Sequence, residues 1–520
     1  MKAQAIAKVN PFSRANEQFE AMTAEASCAK TAEMTHGDLE RWIDGEGREL
    51  LRAILQGHLY WRGAGDVEGG RVVGADGVAR PHRRERPRGL LSVVGEVEVP
   101  RTVFERPEHE GLCPRDAELN LPPTHYSHGV ERRIAESAAI ASFDTAVDQV
   151  AKMIGTTVPK RQAEEIVVRA AAEFDAFYEA RVAATKREAN KSGPVLALTF
   201  DGKGIVMRTE DLREETRRAA AERKPKLASR RCKGEKAGTK RMALVAAVYT
   251  IAMFERTPED IVGDFAPVRD AAIQRPRPEN KRVWARIAKS PRQVIADAFD
   301  EAERRDPFRT KSWVVLVDGN ATQLRLVRRE ARRRGVEVTI ILDVVHVREY
   351  LWKAAYVFHA EGSREAENWV NARMLEILRG NAGQVAGGIR RSATKRKVAA
   401  DARKPVEDCA RYLLKHKRFL DYEIALASGF PIATGVIEGA CRHLIKDRMD
   451  ITGARWSLAG AEAVLCLRAL RSSGDLAEYW TFHEARDYDR YHASRYANGA
   501  PPKTLMPQPA RSRPALRIVG

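Results

Sequence analysis

Two short apolar runs, VLALTF at 195–200 and WVVLV at 313–317, each stop at an Asp-Gly pair, Asp201-Gly202 and Asp318-Gly319. Unalternating runs of that length are the pattern of strands buried on both faces, which demands a sheet covered by helices. A buried carboxylate is costly unless it is paired or bound to metal, so an aspartate closing each strand is hard to explain as packing. A divalent metal removes that cost. Hard oxygen ligands suit Mg²⁺ or Mn²⁺, and two such ions about 4 Å apart can activate a water or 3′-hydroxyl and stabilise the leaving oxygen in phosphodiester transfer.

The neighbouring sequence supplies the rest of a layered domain. MALVAAVYTIAMF (242–254) reads as a second buried strand, residues 291–304 as an amphipathic helix capped by Ser290, and ATQLRLVRREARRRG as a helix ended by Gly335. VEVTIILDVV supplies a fourth strand, so residues 194–346 are predicted to form an α/β domain around a mixed sheet. Strand patterns then stop, and residues 349–430 read as all-α. Beyond Pro431, two helical segments meet at Gly453, and Glu438 opens the first of them. Glu438 is the candidate third carboxylate, the alternative being a helix N-terminal dipole residue. Separations of 117 and 120 residues between the three positions leave convergence open. Asp343 and His346, three apart after the fourth strand, suit a supporting role in orienting a phosphate or carboxylate. A structural histidine is the alternative, and one Asp with one His is too few for zinc.

The formal charge of +18, with 89 Lys and Arg against 71 Asp and Glu, points to a phosphate-rich partner. Residues 217–241 carry eleven basic residues against Glu222 and Glu235. This segment, with Arg230, Arg231, Lys233, Lys240 and Arg241, reads as a DNA-contacting arm or a solvated loop, and Lys203 stands beside the first aspartate. Arg442 and Lys446 lie four and eight residues after Glu438 and share its helical face. Trp456 reads first as a core residue and second as a stacking platform for a base. Near the N-terminus, residues 35–57 read as a helix and 90–106 as two strands of a hairpin. Residues 127–181 are helical, and IGTTVPKRQ within them suits either a helix-turn-helix presenting Lys160, Arg161 and Gln162 to DNA or an ordinary α-hairpin. The Pro-, Arg- and Ser-rich stretch from Asn498 reads as a disordered tail. Six cysteines spaced singly indicate neither a disulfide framework nor a zinc module. With no apolar run of membrane length and no signal sequence, a cytoplasmic protein, nucleoid-associated when on DNA, is expected.

Taken in order, TFDGKGIVMR, KGEKAGTKRMALVAAVY, RTPEDI, VVLVDGN, ILDVVHVREYLWKAA and GVIEGACRHLIKDRMDITGARW resemble the Kra group of bacterial insertion-sequence transposases, over about residues 194–470. The resemblance implies a ribonuclease H-like catalytic domain with an Asp-Asp-Glu triad, carried onto Asp201, Asp318 and Glu438 as catalytic and metal-holding residues with a pair of Mg²⁺ or Mn²⁺ ions. It also implies an α-helical insertion before the glutamate, a D-x-x-H element matched by Asp343 and His346, terminal inverted repeats and target DNA as partners, and a homo-oligomer on DNA. GEVEVPRTVFERPEHEGLCPRDAELNLPP is similar to a region where relatives pair cysteines around zinc. Only Cys113 stands here, so no zinc is expected. The expected organisation is a mixed region (1–125), a helical DNA-binding region (126–190), the catalytic core (191–348), its insertion (349–430), the last catalytic helices (431–475) and a C-terminal segment (476–520). The competing readings are a non-catalytic DNA-binding derivative and a retaining glycosidase, the latter lacking an aromatic sugar platform.

Overall fold

Alternating strand and helix signals become an α/β molecule in the computed structural model, which describes residues 10–222, 239–265, 275–451 and 453–506. The chain divides into two units, Met1–Phe177 with Ala477–Gly520, and Tyr178–Leu476.

In the first unit, α1 (Ser13–Ala26) packs on α2 (His36–Arg62), whose N-cap Thr35 accepts from the Asp38 amide. β1 (His82–Glu85) precedes β2 (Arg88–Ser92) and β3 (Gly95–Val99), the expected antiparallel hairpin. The region to 106 holds a further strand, because Pro100 has no amide donor and interrupts the ladder. The chain resumes as β4 (Thr102–Arg106), which pairs with β1 and β5 (His109–Leu112) instead. The helices that follow include α3 (His128–Ile140), α4 (Phe143–Ile154) and α5 (Lys160–Ala170). Gly155 ends α4 at φ +75°, a left-handed cap that glycine adopts without strain.

The second unit is built on a five-stranded sheet. Its strands are β6 (Val195–Val206), β7 (Lys240–Ile251), β8 (Glu279–Arg286), β9 (Ser312–Val317) and β10 (Thr339–Leu342), in the order β8-β7-β6-β9-β10. β6, β9 and β10 are parallel, while β7 is antiparallel to both β6 and β8 and so runs against all the others. Two expectations are corrected. β6 does not stop at Asp201 but continues to Val206, because β7 pairs with it along its whole length. A fifth strand, β8, has a sequence, ENKRVWAR, that lacks an apolar run. Its Arg282 and Arg286 are nevertheless buried, with charges met by Glu301 and Glu462.

The helix α6 (Pro291–Arg305) starts from a capping box on Ser290 and Gln293, and α7 (Ala321–Arg334) ends at left-handed Gly335. After β10, the chain is helical through α8 (Val344–Ala355), α9 (Arg364–Leu378), α10 (Ala382–Lys395), α11 (Lys404–His416) and α12 (Tyr422–Ala427). Then α13 (Gly435–Ala440) runs into a π-helical turn (Cys441–Lys446), and α14 (Leu458–Ser473) closes the unit.

The C-terminal segment rejoins the first unit. Within α15 (Leu476–Tyr491), the Tyr479 hydroxyl donates to Ala170 O at 2.7 Å and Trp480 Nε1 to Glu136 at 2.9 Å. Part of the expected tail is ordered, since the Leu505 amide donates to Asp66 O at 2.6 Å and Thr504 bridges Val67. Residues 507–520 lie outside the described residues. Among the described residues no helix is long and apolar enough to cross a membrane.

Candidate active site

Strand register sets the geometry. β9 pairs with β6 as far as Leu316 opposite Thr199, and with β10 as far as Val317 opposite Leu342. Two residues beyond the first pair stand Asp201 and Asp318, and one beyond the second stand Asp318 and Asp343. All three aspartates therefore occupy one row across the parallel half of the sheet. Asp201, Asp318 and Glu438 line a single narrow cavity of about 110 Å³, with Lys203, Asp343, His346, Glu349 and Thr434 in its wall.

Asp201 is half-enclosed, its side chain 15% exposed. It accepts from the Gly202 amide at 2.6 Å, from Cys441 Sγ at 3.1 Å, and forms an ion pair with Lys203 at 3.1 Å. Burial, then the Asp201 charge, pushes the Cys441 thiol far above its ordinary range, so it stays protonated and donates. Burial opposes the Lys203 charge, but Asp201, with smaller contributions from Cys441 and Glu438, outweighs it and keeps the ammonium protonated.

Asp318 lies just past β9. Its Oδ1 accepts from the Asn320 amide at 2.8 Å, and its carbonyl accepts from the Tyr412 hydroxyl at 3.0 Å. Gly319 has φ +90°, and a Cβ there would lie 3.1 Å from the Tyr412 ring. Asn320 then caps α7, accepting from the amides of Thr322 and Gln323.

Glu438 lies on α13, exposed at the mouth of the cavity. The segment leading to it is fixed by Asp343, which is 2% exposed and caps α8. Asp343 accepts from the amides of Val345 at 3.0 Å and Thr434 at 3.3 Å, from the Thr434 hydroxyl, and from His346 Nδ1 at 3.1 Å. These donors occupy its carboxylate, so Asp343 is a positioning residue. The same hydrogen bond, followed by the charges of Asp343, Glu349 and Asp318, holds His346 above the usual imidazole value although burial opposes it.

A wider cleft of about 940 Å³ shares Lys203 and Glu438 with this cavity and is also lined by Lys240, Arg442, His443, Lys446 and Asp447. Glu438, Arg442 and Lys446 therefore share a cleft, as their spacing predicts. The helix between them departs from regular α geometry, because Arg468 takes up the carbonyls of His443 and Leu444 and favours the π turn. Arg241 is turned to protein carbonyls, at Ile287 and Asp211. Trp456 follows the first of its two readings, and its place as a base-stacking platform is corrected: the residue is 6% exposed, its indole donates to Met449 O at 3.1 Å and carries the Arg448 guanidinium 4.8 Å from its ring, so it packs the core. Arg230, Arg231 and Lys233 lie outside the described residues.

Lys160, Arg161 and Gln162 begin α5 in the first unit. Lys160 pairs with Asp144 at 2.8 Å and Arg161 with Glu165 at 3.3 Å, so both basic side chains carry acidic neighbours. Sequence reasoning missed Glu349, Thr434 and Cys441. Glu349 was within reach, being three residues after His346 on one helical face.

The donor set, three carboxylates on one cavity, has the hard-oxygen chemistry that Mg²⁺ or Mn²⁺ prefers. Among the described residues no three such side chains stand close enough together to chelate one ion. The charge of Asp201 is met instead by Lys203. No family model and no curated protein matches the chain.

Proposed function

We propose that this chain is a DNA transposase of the Kra group, with a ribonuclease H-like catalytic domain that cleaves and rejoins DNA strands at Asp201, Asp318 and Glu438. The observation that carries the reading is the alignment of Asp201 and Asp318 in one row of parallel strands, with Glu438 on the same cavity. The mixed sheet with one reversed strand, and helices filling the interval before Glu438, support the fold assignment.

In this reading Asp201, Asp318 and Glu438 are the residues that would hold divalent ions once drawn closer together than they stand here, and bound ions would supply nucleophile activation and stabilisation of the leaving oxygen. The chain's own residues do the remainder. Lys203, Lys240, Arg442 and Lys446 neutralise phosphates in the cleft beside Glu438. The Cys441 thiol orients the Asp201 carboxylate. Asp343 holds Thr434, and with it the start of the helix bearing Glu438, against the end of the sheet. Inverted repeats at element ends, target DNA and a second copy of the chain are the partners this function requires.

The test is Mg²⁺-dependent cleavage of DNA carrying the flanking element ends, by the parent and by Asp201→Asn, Asp318→Asn and Glu438→Gln. Each variant should lose at least a thousandfold in cleavage while still binding DNA. Variants that cut like the parent would remove the assigned site. A second reading, a DNA-binding protein that has lost nuclease chemistry, is favoured by the Lys203 ion pair on Asp201 and by the separation of the carboxylates. It is the conclusion if the parent binds the ends and cuts under no metal condition.

A further inference from the structure

A groove of about 690 Å³ runs along the free edge of β10, between α7 and α12, and none of its lining residues belongs to the cavity of the three carboxylates. Three arginines converge on it: Arg328 and Arg332, one turn apart on α7, and Arg418, just after α11. The guanidinium carbons of Arg328 and Arg418 each lie 4.8 Å from the centroid of the buried Phe419 ring, which braces the two side chains.

Their neighbours on α7 are differently placed. Arg333 and Arg334 are committed to Glu330, Asp300 and Glu303. Among the described residues no carboxylate forms an ion pair with Arg328, Arg332 or Arg418, and Asp421, the carboxylate that lines the groove, pairs with none of them. Three like charges drawn together without an anion are mutually repulsive, and burial together with Arg418 and Arg332 lowers the pKa of Arg328. Guanidinium groups offer forked donors that match phosphate oxygens. Apart from Asp421 and Thr339 the rest of the lining is apolar, including Ile340, Ile341 and Phe430, with Ile424 70% exposed.

We propose that this groove is a second nucleic-acid site, which takes an unpaired DNA strand with its phosphates on Arg328, Arg332 and Arg418 and its sugars and bases against Ile340 and Ile424. Duplex DNA offers phosphates but keeps its base faces stacked, so the apolar floor selects the single strand. The proposal rests on the reading of the chain as a DNA-handling protein, and it needs neither metal nor the three carboxylates.

The experiment is binding of a fluorescein-labelled oligonucleotide to the full chain in EDTA, over a range of salt, as a single strand and as a duplex. Replacing the three arginines with glutamine should weaken single-strand binding at least tenfold and flatten the plot of log affinity against log salt by about 2, at roughly 0.7 per phosphate contact. Duplex binding should change less. The corresponding lysine triple should retain most of the slope, which separates charge from folding. In the otherwise unaltered protein, a photocrosslinking side chain at Ile424 should attach to the single strand. Unchanged affinity and slope, an equal loss on duplex, or no crosslink at Ile424 would each overturn the proposal. A protein that binds the strand through this groove yet never cuts DNA would overturn the transposase reading and leave the groove standing.

Discussion

Asp343 shows how much a single buried side chain can be asked to hold. Its carboxylate meets two backbone amides, a hydroxyl and an imidazole, and each partner belongs either to the start of α8 or to the approach to α13. Thr434→Val keeps the shape and removes one donor, leaving a buried carboxylate oxygen short of a partner. It should lower the unfolding free energy by about 1–3 kcal/mol in a urea titration, and Thr434→Ser should restore it. Gly319→Ala is a second residue-scale test. At φ +90° a side chain is strained whatever the space, and here the added carbon meets Tyr412. A loss of about 1–3 kcal/mol is expected in the same titration, with a parental value ruling the strain out. At this scale the two aspartates were legible from sequence, because an Asp-Gly stop after an unbroken apolar run is a local signal. Cys441 and Thr434 were not, since each acts on a residue about a hundred or more positions away.

The elements divide in the same way. α6 and α7 carry their own punctuation, Ser290 at one start and Gly335 at one end, and both appear where the sequence sets them. β8 escaped because its buried positions include arginines, whose partners lie at 301 and 462. Periodicity records apolar residues and cannot register a buried charge whose neutralising partner is distant. Glu301 joins β8 to α6, and despite burial the charges of Arg282, Arg305 and Arg304 hold its carboxyl well below the usual range. Glu301→Gln would leave those guanidinium groups without their shared anion. Breaking a buried pair in this way costs about 3–5 kcal/mol, and thermal denaturation should show a correspondingly lowered midpoint, whereas an unshifted midpoint would mean that β8 is held by its ladder alone.

The whole molecule has a discontinuous first unit, and this escaped the sequence because nothing local in residues 476–506 names the segment they pack on. That unit also houses a buried histidine, His483, and a half-buried one, His128. His128 and His483 are pushed down to about 4, mainly by burial. Above pH 6.5 both are neutral whether the chain is folded or not. Between pH 6.5 and about 4 the unfolded chain takes up protons that the folded unit refuses, so stability should fall as pH falls. Asp487, raised by burial, works in the opposite sense and offsets part of the loss. Melting followed across that pH range should show the transition of the first unit moving down with acid, and His483→Gln should flatten the dependence. A dependence that is unchanged between the parent and His483→Gln would show that His483 titrates normally.

The ring of Phe177, at the end of the first long segment, meets that of Tyr479 at a centroid distance of 5.4 Å. During synthesis these two aromatics are made far apart in time, with the about 300 residues of the second unit between them. At roughly 5–20 residues per second, the N-terminal segment leaves the ribosome about 15–60 s before the helix that completes its core. The second unit, whose strands and helices are contiguous in the chain, can fold during that interval. A messenger cut short before codon 477 therefore yields a chain with an intact second unit and an unfinished first one, exposing the apolar surface that α15 covers and marking the fragment for proteolysis.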